Sequence, residues 1–271
     1  MLDRLFPPKR IALPNGKAVM EKRSRIPLIG AGLALCTIAS VYFTDFRLQT
    51  LIGRIDQFWV IVSDMLPPDW SSLGQLWPPL LDTVKMSLLG SIAGALLALP
   101  AAVMAASNIV RSKPVAAAGK AALSLLRTLP TLVTALIATF VFGLGPLAGT
   151  AAIMLFTLSY VGKLLCEQIE NADMGPFEAM ESLGMTRMQA FRFAVLPQVL
   201  PGYISTSLFC FEGNVRYAAI LGYVGAGGIG LLINENLAWR DYPRVGMIIV
   251  ALIVTVYLIE TVSEHFRKKL I

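Results

Sequence analysis

Residues 178–197 read "EAMESLGMTRMQAFRFAVLP", a stretch dense in helix punctuation with long apolar sequence on either side. Just upstream, Asp173 can cap a helix that carries Pro176 in its first turn, since side-chain acceptors and proline both favour helix N-termini. Gly184 can end that helix, because glycine takes the left-handed conformation needed just past a C-terminus. Thr186 and Gln189 then form a T-x-x-Q capping box for a second helix, "RMQAFRFAVL". Pro197 and Pro201 mark the turn back into apolar sequence. The segment 166–198 thus reads as a helix, a glycine joint and another helix, too polar to cross a bilayer.

The surrounding sequence is of a different kind. The 271 residues are 56% hydrophobic and 15% charged, with a mean hydropathy of +0.68. Soluble domains average about 45–50% apolar and about 25% charged residues, so this chain lacks the polar groups to cover a water-facing surface. Apolar runs of roughly 20 residues are therefore read as membrane spans. They lie at about Ile26–Phe43, Leu80–Ala106, Leu123–Phe142, Leu147–Leu165, Leu200–Leu221 and Val245–Val262. The first run lacks a following A-x-A-like cleavage site and has a long basic region before it, which favours a retained span over a signal peptide. The expected fold class is an all-α integral membrane protein of about six transmembrane helices.

Lysine and arginine orient the spans, because cytoplasmic loops carry their excess. Arg4, Lys9, Arg10, Lys17, Lys22, Arg23 and Arg25 precede the first span. Arg111, Lys113 and Lys120 lie between the second and third, and Arg267, Lys268 and Lys269 follow the sixth. These segments share the cytoplasmic side, as does 166–198, so both termini are cytoplasmic. The connection "MLPPDWSSLGQLWPP" (65–79) is external, and Trp59, Trp70 and Trp77 suit an interfacial belt. Arg216, Arg240 and Arg244 run against the charge trend. The resulting organisation is a basic N-terminal segment (1–25), a first span with its external connection (26–79), a core transmembrane domain (80–265) containing the loop 166–198, and a short tail (266–271).

The net charge of +6 belongs to those loops; no basic stretch is interleaved with aromatics as a nucleic-acid surface requires. His265 is the only histidine, which excludes a His-based catalytic or metal cluster. Cys36, Cys166 and Cys210 fit no metal-ligand spacing. "VGAGGIG" (224–230) satisfies the dinucleotide pattern G-x-G-x-x-G through Gly225, Gly227 and Gly230. That pattern requires a preceding strand and an acidic residue about 20 positions on. An apolar span precedes it instead, and "MIIVALIV" occupies the distal position, so the cofactor reading fails. Two roles for Gly222, Gly225, Gly227, Gly228 and Gly230 stand side by side. One is a broken helix near a translocation path, and the other is tight packing of small residues between helices.

Glu212 and Arg216 are four residues apart and can pair on one helical face. Charges at membrane depth usually face a cavity or one another. Arg216 is read either as part of a cationic path or as half of a structural ion pair, while Arg127 and Lys163 are expected to snorkel to the cytoplasmic surface.

The stretch 178–197 resembles the EAA loop of ABC-importer permeases, E-A-A-x3-G-x9-I-x-L-P. Glu178, Ala179, Gly184, Leu196 and Pro197 sit at the family spacing, with Met180 in place of the second alanine and Ala194 in place of the isoleucine. Together with "PPDWS" (67–71), "LPQVLP" (196–201), "FEGNVR" (211–216) and "GYVGAGGIG" (222–230), it resembles the phosphonate-type permeases of that group. The resemblance implies the type I, methionine-importer-like permease fold, with 178–197 as the helix that couples to a separate ATPase. It implies a non-catalytic subunit that works with a second copy of itself, two ATPase subunits and an external phosphonate-binding protein, periplasmic or lipid-anchored, within the bacterial or archaeal cytoplasmic membrane. It further implies a phosphorus oxyanion as solute and no cofactor on this chain, with ATP and Mg on the ATPase; no G-x-x-x-x-G-K-[ST] occurs. Glu212, Asn214, Arg216, Gly225, Gly227, Gly228 and Gly230 are the candidate path or gate. The rival readings are a permease of the same type for another solute such as methionine, and an ATP-independent secondary transporter.

Overall fold

The computed structural model describes residues 10–12, 18–20 and 26–270. Arg4, Lys9, Lys17, Lys22, Arg23 and Arg25 of the expected basic segment lie outside the described residues. The chain divides into two units, Met1–Trp59 and Val60–Ile271.

In the first unit β1 (Arg10–Ala12) pairs antiparallel with β2 (Ala18–Met20), a small exception to the all-helical expectation. α1 (Ile26–Phe43) follows with the bounds read from the sequence and has no buried residue, as suits a helix solvated by lipid. α2 (Leu48–Gly53) is short, and α3 (Ile55–Asp64) carries the chain across the division.

The second unit begins with a 3-10 turn, Trp70–Ser72, capped by Asp69, which leads into the long α4 (Leu73–Ala105). α5 (Lys113–Thr128), α6 (Thr131–Phe142) and α7 (Pro146–Glu170) come next. The polar segment 166–198 forms α8 (Gly175–Ser182) and α9 (Arg187–Ala190), and α10 (Leu196–Leu221), α11 (Ile229–Ala238) and α12 (Tyr242–Arg267) complete the chain. Among the described residues five helical stretches are long and apolar enough to cross a bilayer, and α5 with α6 makes a sixth if counted as one broken span.

Two expectations change here. The third span is not straight: α5 and α6 meet at 91°. Pro130 lacks an N–H and disfavours helical geometry in the residue before it, so Leu129 is extended at ψ 122. Second, Pro197 and Pro201 do not turn the chain. Helix runs through them from Arg187 to Val224, with a π turn at Phe191–Val195 just before Pro197, where Leu196 N–H donates to Phe191 O, five residues back. That register shift is a known way for a helix to absorb lost backbone bonds.

Packing centres on α4 and α7. A Cβ on Gly90 would meet Thr150 and Ile153, one on Gly94 would meet Met154 and Thr157, and Gly162 faces Ala98. Contacts advance along both helices together, so the two run parallel. Small residues set this closeness, since helices in lipid associate by van der Waals fit and not by expulsion of water. α10 joins through Ser87 Oγ, which lies 3.4 Å from Asn214 O, and α12 packs Met247 and Ile248 with Leu76 and Leu80.

At the N-terminal end of α4, Asp69 N–H donates to Pro243 O at 3.1 Å, tying α12 to the start of α4. The Ser71 hydroxyl first, then its amide and nearby Arg244, hold the Asp69 carboxyl below the usual carboxylate range against the opposing effect of burial. Arg244, one of the arginines that ran against the charge trend, thus pairs with Asp241 at 3.2 Å and Asp69 at 3.6 Å. Arg240, another of them, ends α11 at φ 56, where Asp241 N–H closes onto Asn236 O at 2.9 Å.

Gly94→Val puts side-chain carbons where a Cβ alone already comes within 2.6 Å of Met154 O. It is expected to cost at least about 1–3 kcal/mol, read as a lower unfolding temperature of the purified protein in detergent. Gly30→Val, where nothing lies within 4 Å, should leave that temperature unchanged.

Candidate coupling and translocation sites

The segment 166–198 folds as a hairpin with a buried root and an exposed crown. Asp173 caps one residue earlier than the ideal position: its Oδ1 accepts from Gly175 N–H at 3.0 Å, while Met174 occupies the cap. Gly184 ends α8 at φ +89, with Gly184 N–H to Glu181 O and Met185 N–H to Met180 O, the paired bonds of a Schellman turn. The Thr186–Gln189 capping box is present, and both of its bonds form. Glu178, Ala179 and Gly184 are exposed, and Met180 is half-buried against the core. Leu196 and Pro197 start α10, so they stand on the stem, apart from the crown. Leu183, Met185 and Met188 are exposed around the glycine joint and give the crown an apolar tip.

The root is built by residues whose roles the sequence did not reveal. Phe177 is 1% exposed and packs among Leu165, Ile169 and Phe191. The Arg187 guanidinium lies 5.5 Å from the Phe177 ring centre, places Nε 3.1 Å from Glu181 Oε1, and donates through Nη2 to Asn108 O at 3.1 Å. Asn108 Nδ2 donates to Ile169 O at 2.8 Å. Glu170 accepts from Ser107 N–H at 2.9 Å and pairs with Lys120 at 2.6 Å. Gln198 reaches back from α10 to both backbone groups of Asp173, accepting from its N–H at 3.0 Å and donating to its O at 3.1 Å. The hairpin is therefore fastened to α7, α10 and the α4–α5 connection, and it can pass a displacement of its crown to the spans.

The candidate path residues divide between two faces of α10. Asn214, buried among α4, α7 and α10, donates through Nδ2 to Ser91 Oγ and Thr157 Oγ1, both at 2.8 Å. Ser91 and Thr157 lie in the middle of their spans, so Asn214 sits at mid-membrane depth. Glu212 is on another face and only 5% exposed. It pairs with Arg216 at 2.9 Å, as the four-residue spacing suggested, and also with Arg267 at 3.4 Å. Arg267, read from sequence as part of the tail, belongs to the last turn of α12. Lys163 lies 3.6 Å from Glu167 on the next turn of its own helix.

The glycine run reverses the chain between α10 and α11. Gly225 is left-handed at φ +75, and Ala226 N–H closes onto Leu221 O at 3.2 Å. Gly225 O accepts from Gly145 N–H at 2.9 Å, and Thr83 Oγ1 accepts from Ile229 N–H at 2.7 Å. A Cβ on Gly227 would meet Pro146 N at 2.8 Å, and on Gly228 it would crowd Thr83. Gly230 lies against Ala219 O and Gly222, so these backbones touch with no room for side chains. The reversal is thus a packed joint of α4, α7, α10 and α11. Missing from the sequence reading were Thr83, within the second span, and Gly145, in the short connection before the fourth.

The family model described as binding-protein-dependent transport system inner membrane component matches residues 98–271. The phosphate-import permease protein PhnE of Mycolicibacterium smegmatis is 34% identical over 212 residues, covering 78% of this chain; the chain spans only 40% of that relative's length. The phosphite transport system permease protein PtxC of Stutzerimonas stutzeri is 33% identical over 219 residues, 81% of this chain and 80% of the relative. Among solved structures, the inward-facing MetNI methionine ABC transporter has a chain with a TM-score of 0.66 at 21% identity, covering 75% of this chain and 99% of that one. At that identity the likeness is one of fold.

Phe177→Ala empties the root of the hairpin and should cost about 3–5 kcal/mol locally. Hydrogen exchange is expected to quicken at least about tenfold over 175–190, with the amides of α4 and α7 at Gly90–Ala98 and Thr150–Gly162 unaffected.

Proposed function

Because the chain belongs to the family of binding-protein-dependent transport system inner membrane components, we propose that it is the membrane-spanning subunit of an ABC importer for phosphonate or a related phosphorus oxyanion, such as phosphite or a phosphate ester. The observation that carries the mechanism is the cytoplasmic hairpin, a short helix and glycine joint with an apolar tip, held on a rigid root. A partner that closes around Leu183, Met185 and Met188 gains apolar burial there and moves the root with it. The solute class rests on the two relatives, named for phosphate and phosphite import, at 34% and 33% identity.

In this reading the chain is non-catalytic. ATP and Mg are bound by a separate ATPase subunit, one for each of two copies of this permease, and an external binding protein delivers the solute. ATP binding draws the ATPases together, and Glu178, Ala179, Met180 and Gly184 ride with them. Leu196 and Pro197 carry the displacement into α10, whose joint with α11 at Gly225, Gly227, Gly228 and Gly230 stands beside the candidate path residues Glu212, Asn214 and Arg216. Access then switches from the cytoplasmic to the external side. Both termini face the cytoplasm, and 166–198 projects from the same side of the bacterial or archaeal membrane.

The test is ATP-dependent uptake of labelled methylphosphonate by cells lacking their own system and supplied with this permease, its ATPase and its binding protein. Unlabelled phosphite, phosphate, aminoethylphosphonate and methionine are the competitors. Competition by the phosphorus oxyanions alone is expected. Glu178→Lys and Gly184→Asp should each lower uptake at least about tenfold at unchanged membrane abundance, because each puts an unmatched charge in the docking face. Methionine uptake in place of methylphosphonate uptake would keep the mechanism and discard the solute.

A further inference from the structure

Arg127 does not simply reach for the surface. Its guanidinium carbon lies 5.5 Å from the centre of the Tyr160 ring. Tyr160 stacks on Phe156 at 5.8 Å with the ring planes 16° apart, and Phe156 meets Tyr217 edge-on at 5.7 Å. Tyr217 follows Arg216 in the chain, and both are exposed on α10. Arg127, Tyr160, Phe156 and Tyr217 thus form a continuous strip across α5, α7 and α10, and Arg216 is the chain neighbour of its last ring.

The charge balance of this strip is unusual for membrane-spanning helices. A cation over an aromatic face is held in place without being neutralised. Among the described residues no carboxylate pairs with Arg127; its recorded partner is the ring. At the other end, Arg216 and Arg267 share the single carboxylate of Glu212. Two guanidiniums against one carboxylate leave one net positive charge, and Arg216 is 53% exposed while Glu212 is buried. Arg127 and Arg216 therefore each present an uncompensated cation on helices of the span region, where isolated charge is costly and calls for a counter-charge.

We propose that Arg127 and Arg216 are two successive stations for the translocated anion, each donating guanidinium N–H groups to the oxygens of a phosphorus oxyanion. This rests on the reading of the chain as a phosphorus-oxyanion permease and assigns Arg127 a role in it. Glu212 positions Arg216, and the Tyr160–Phe156–Tyr217 strip keeps the two arginines apart. Separation matters for transport: two guanidiniums converging on one dianion would trap it, whereas two sites in sequence let it enter and leave. Lipid phosphate headgroups offer Arg127 the same chemistry, so the test has to separate the two sources.

The complete transporter, with its ATPase and binding protein, is reconstituted in vesicles of phosphatidylcholine or of digalactosyldiacylglycerol, a bilayer lipid without phosphate. Arg127→Gln, Arg216→Gln and the corresponding lysine variants are compared with the wild type for uptake of labelled phosphite or methylphosphonate and for ATP hydrolysis. Both glutamine variants are expected to lose uptake at least about tenfold in both lipids, the effect of one charge-assisted contact. ATP hydrolysis should stay within about twofold of wild type, and lysine should restore part of the uptake by supplying a point charge.

Glutamine variants that transport within about twofold of wild type would overturn the proposal and leave the functional reading intact. Loss of ATP hydrolysis together with uptake, in the lysine variants as well, would assign the arginines to assembly and overturn it too. An Arg127 defect confined to the phosphatidylcholine vesicles would assign that residue to lipid and overturn its place as a station. A wild type that carries neither phosphorus compound would bring down the functional reading itself, and the anion stations with it.

Discussion

The parallel approach of α4 and α7 is the constraint on which the other contacts depend. Bare glycine at 90 and 94 lets the backbone of one helix rest on the other, and Gly162 continues the contact against Ala98. In lipid there is no gain from hiding apolar surface, so this closeness must come from shape alone. Once the two helices are fixed, Ser91 and Thr157 stand opposite each other with room for one amide between them. Asn214 fills that room and sets the height and rotation of α10. The same pair of helices presents Thr83 and Gly145 to the glycine reversal, which can then close only where no side chain intervenes.

At the hairpin 166–198 the surroundings turn polar, and the kind of bond changes with them. The core above is joined by small residues and a few hydroxyls. The hairpin root is joined by Glu170, Lys120, Ser107, Arg187, Asn108 and Gln198, and Glu170, Arg187, Asn108 and Gln198 each bond a backbone group of another segment. Side-chain bonds to the backbone hold position without requiring two mobile side chains to meet, which suits a lever. Phe177 supplies the apolar anchor beneath them. The hairpin is stiff at its base and open at its tip, the arrangement needed by an element that is pushed from outside and moves what lies behind it.

The ionised groups inside the span region follow a third logic. Glu212 is buried and shared by two arginines, which satisfies the carboxylate but not the arginines. Arg127 rests on a ring and not on a carboxylate. A structural ion-pair network would approach neutrality, whereas this arrangement keeps positive charge exposed on the same helices that carry the path candidates.

Local chemistry was legible in the sequence because it depends on neighbours along the chain. The Gly184 stop, the Thr186–Gln189 box, the Glu212–Arg216 pair and the bounds of α1 all follow from spacing within a turn or two. The position of most spans was equally plain, since a run of apolar side chains needs no partner to be recognised. What failed were inferences about continuity. Pro130 breaks a span into two helices at 91°, while Pro197 follows a π turn and Pro201 sits inside a continuous helix. The same residue type gives opposite outcomes because packing around each site decides whether the lost backbone bond can be made elsewhere. Glu212 with Arg267 and Arg127 with Tyr160 were hidden for a related reason, as each pair joins helices far apart in the chain. The sequence by itself determined where helices start, stop and meet water. Only the tertiary structure decided which of them touch and which charges are left unmatched, because those depend on backbone distances that glycine and alanine permit but no local pattern specifies.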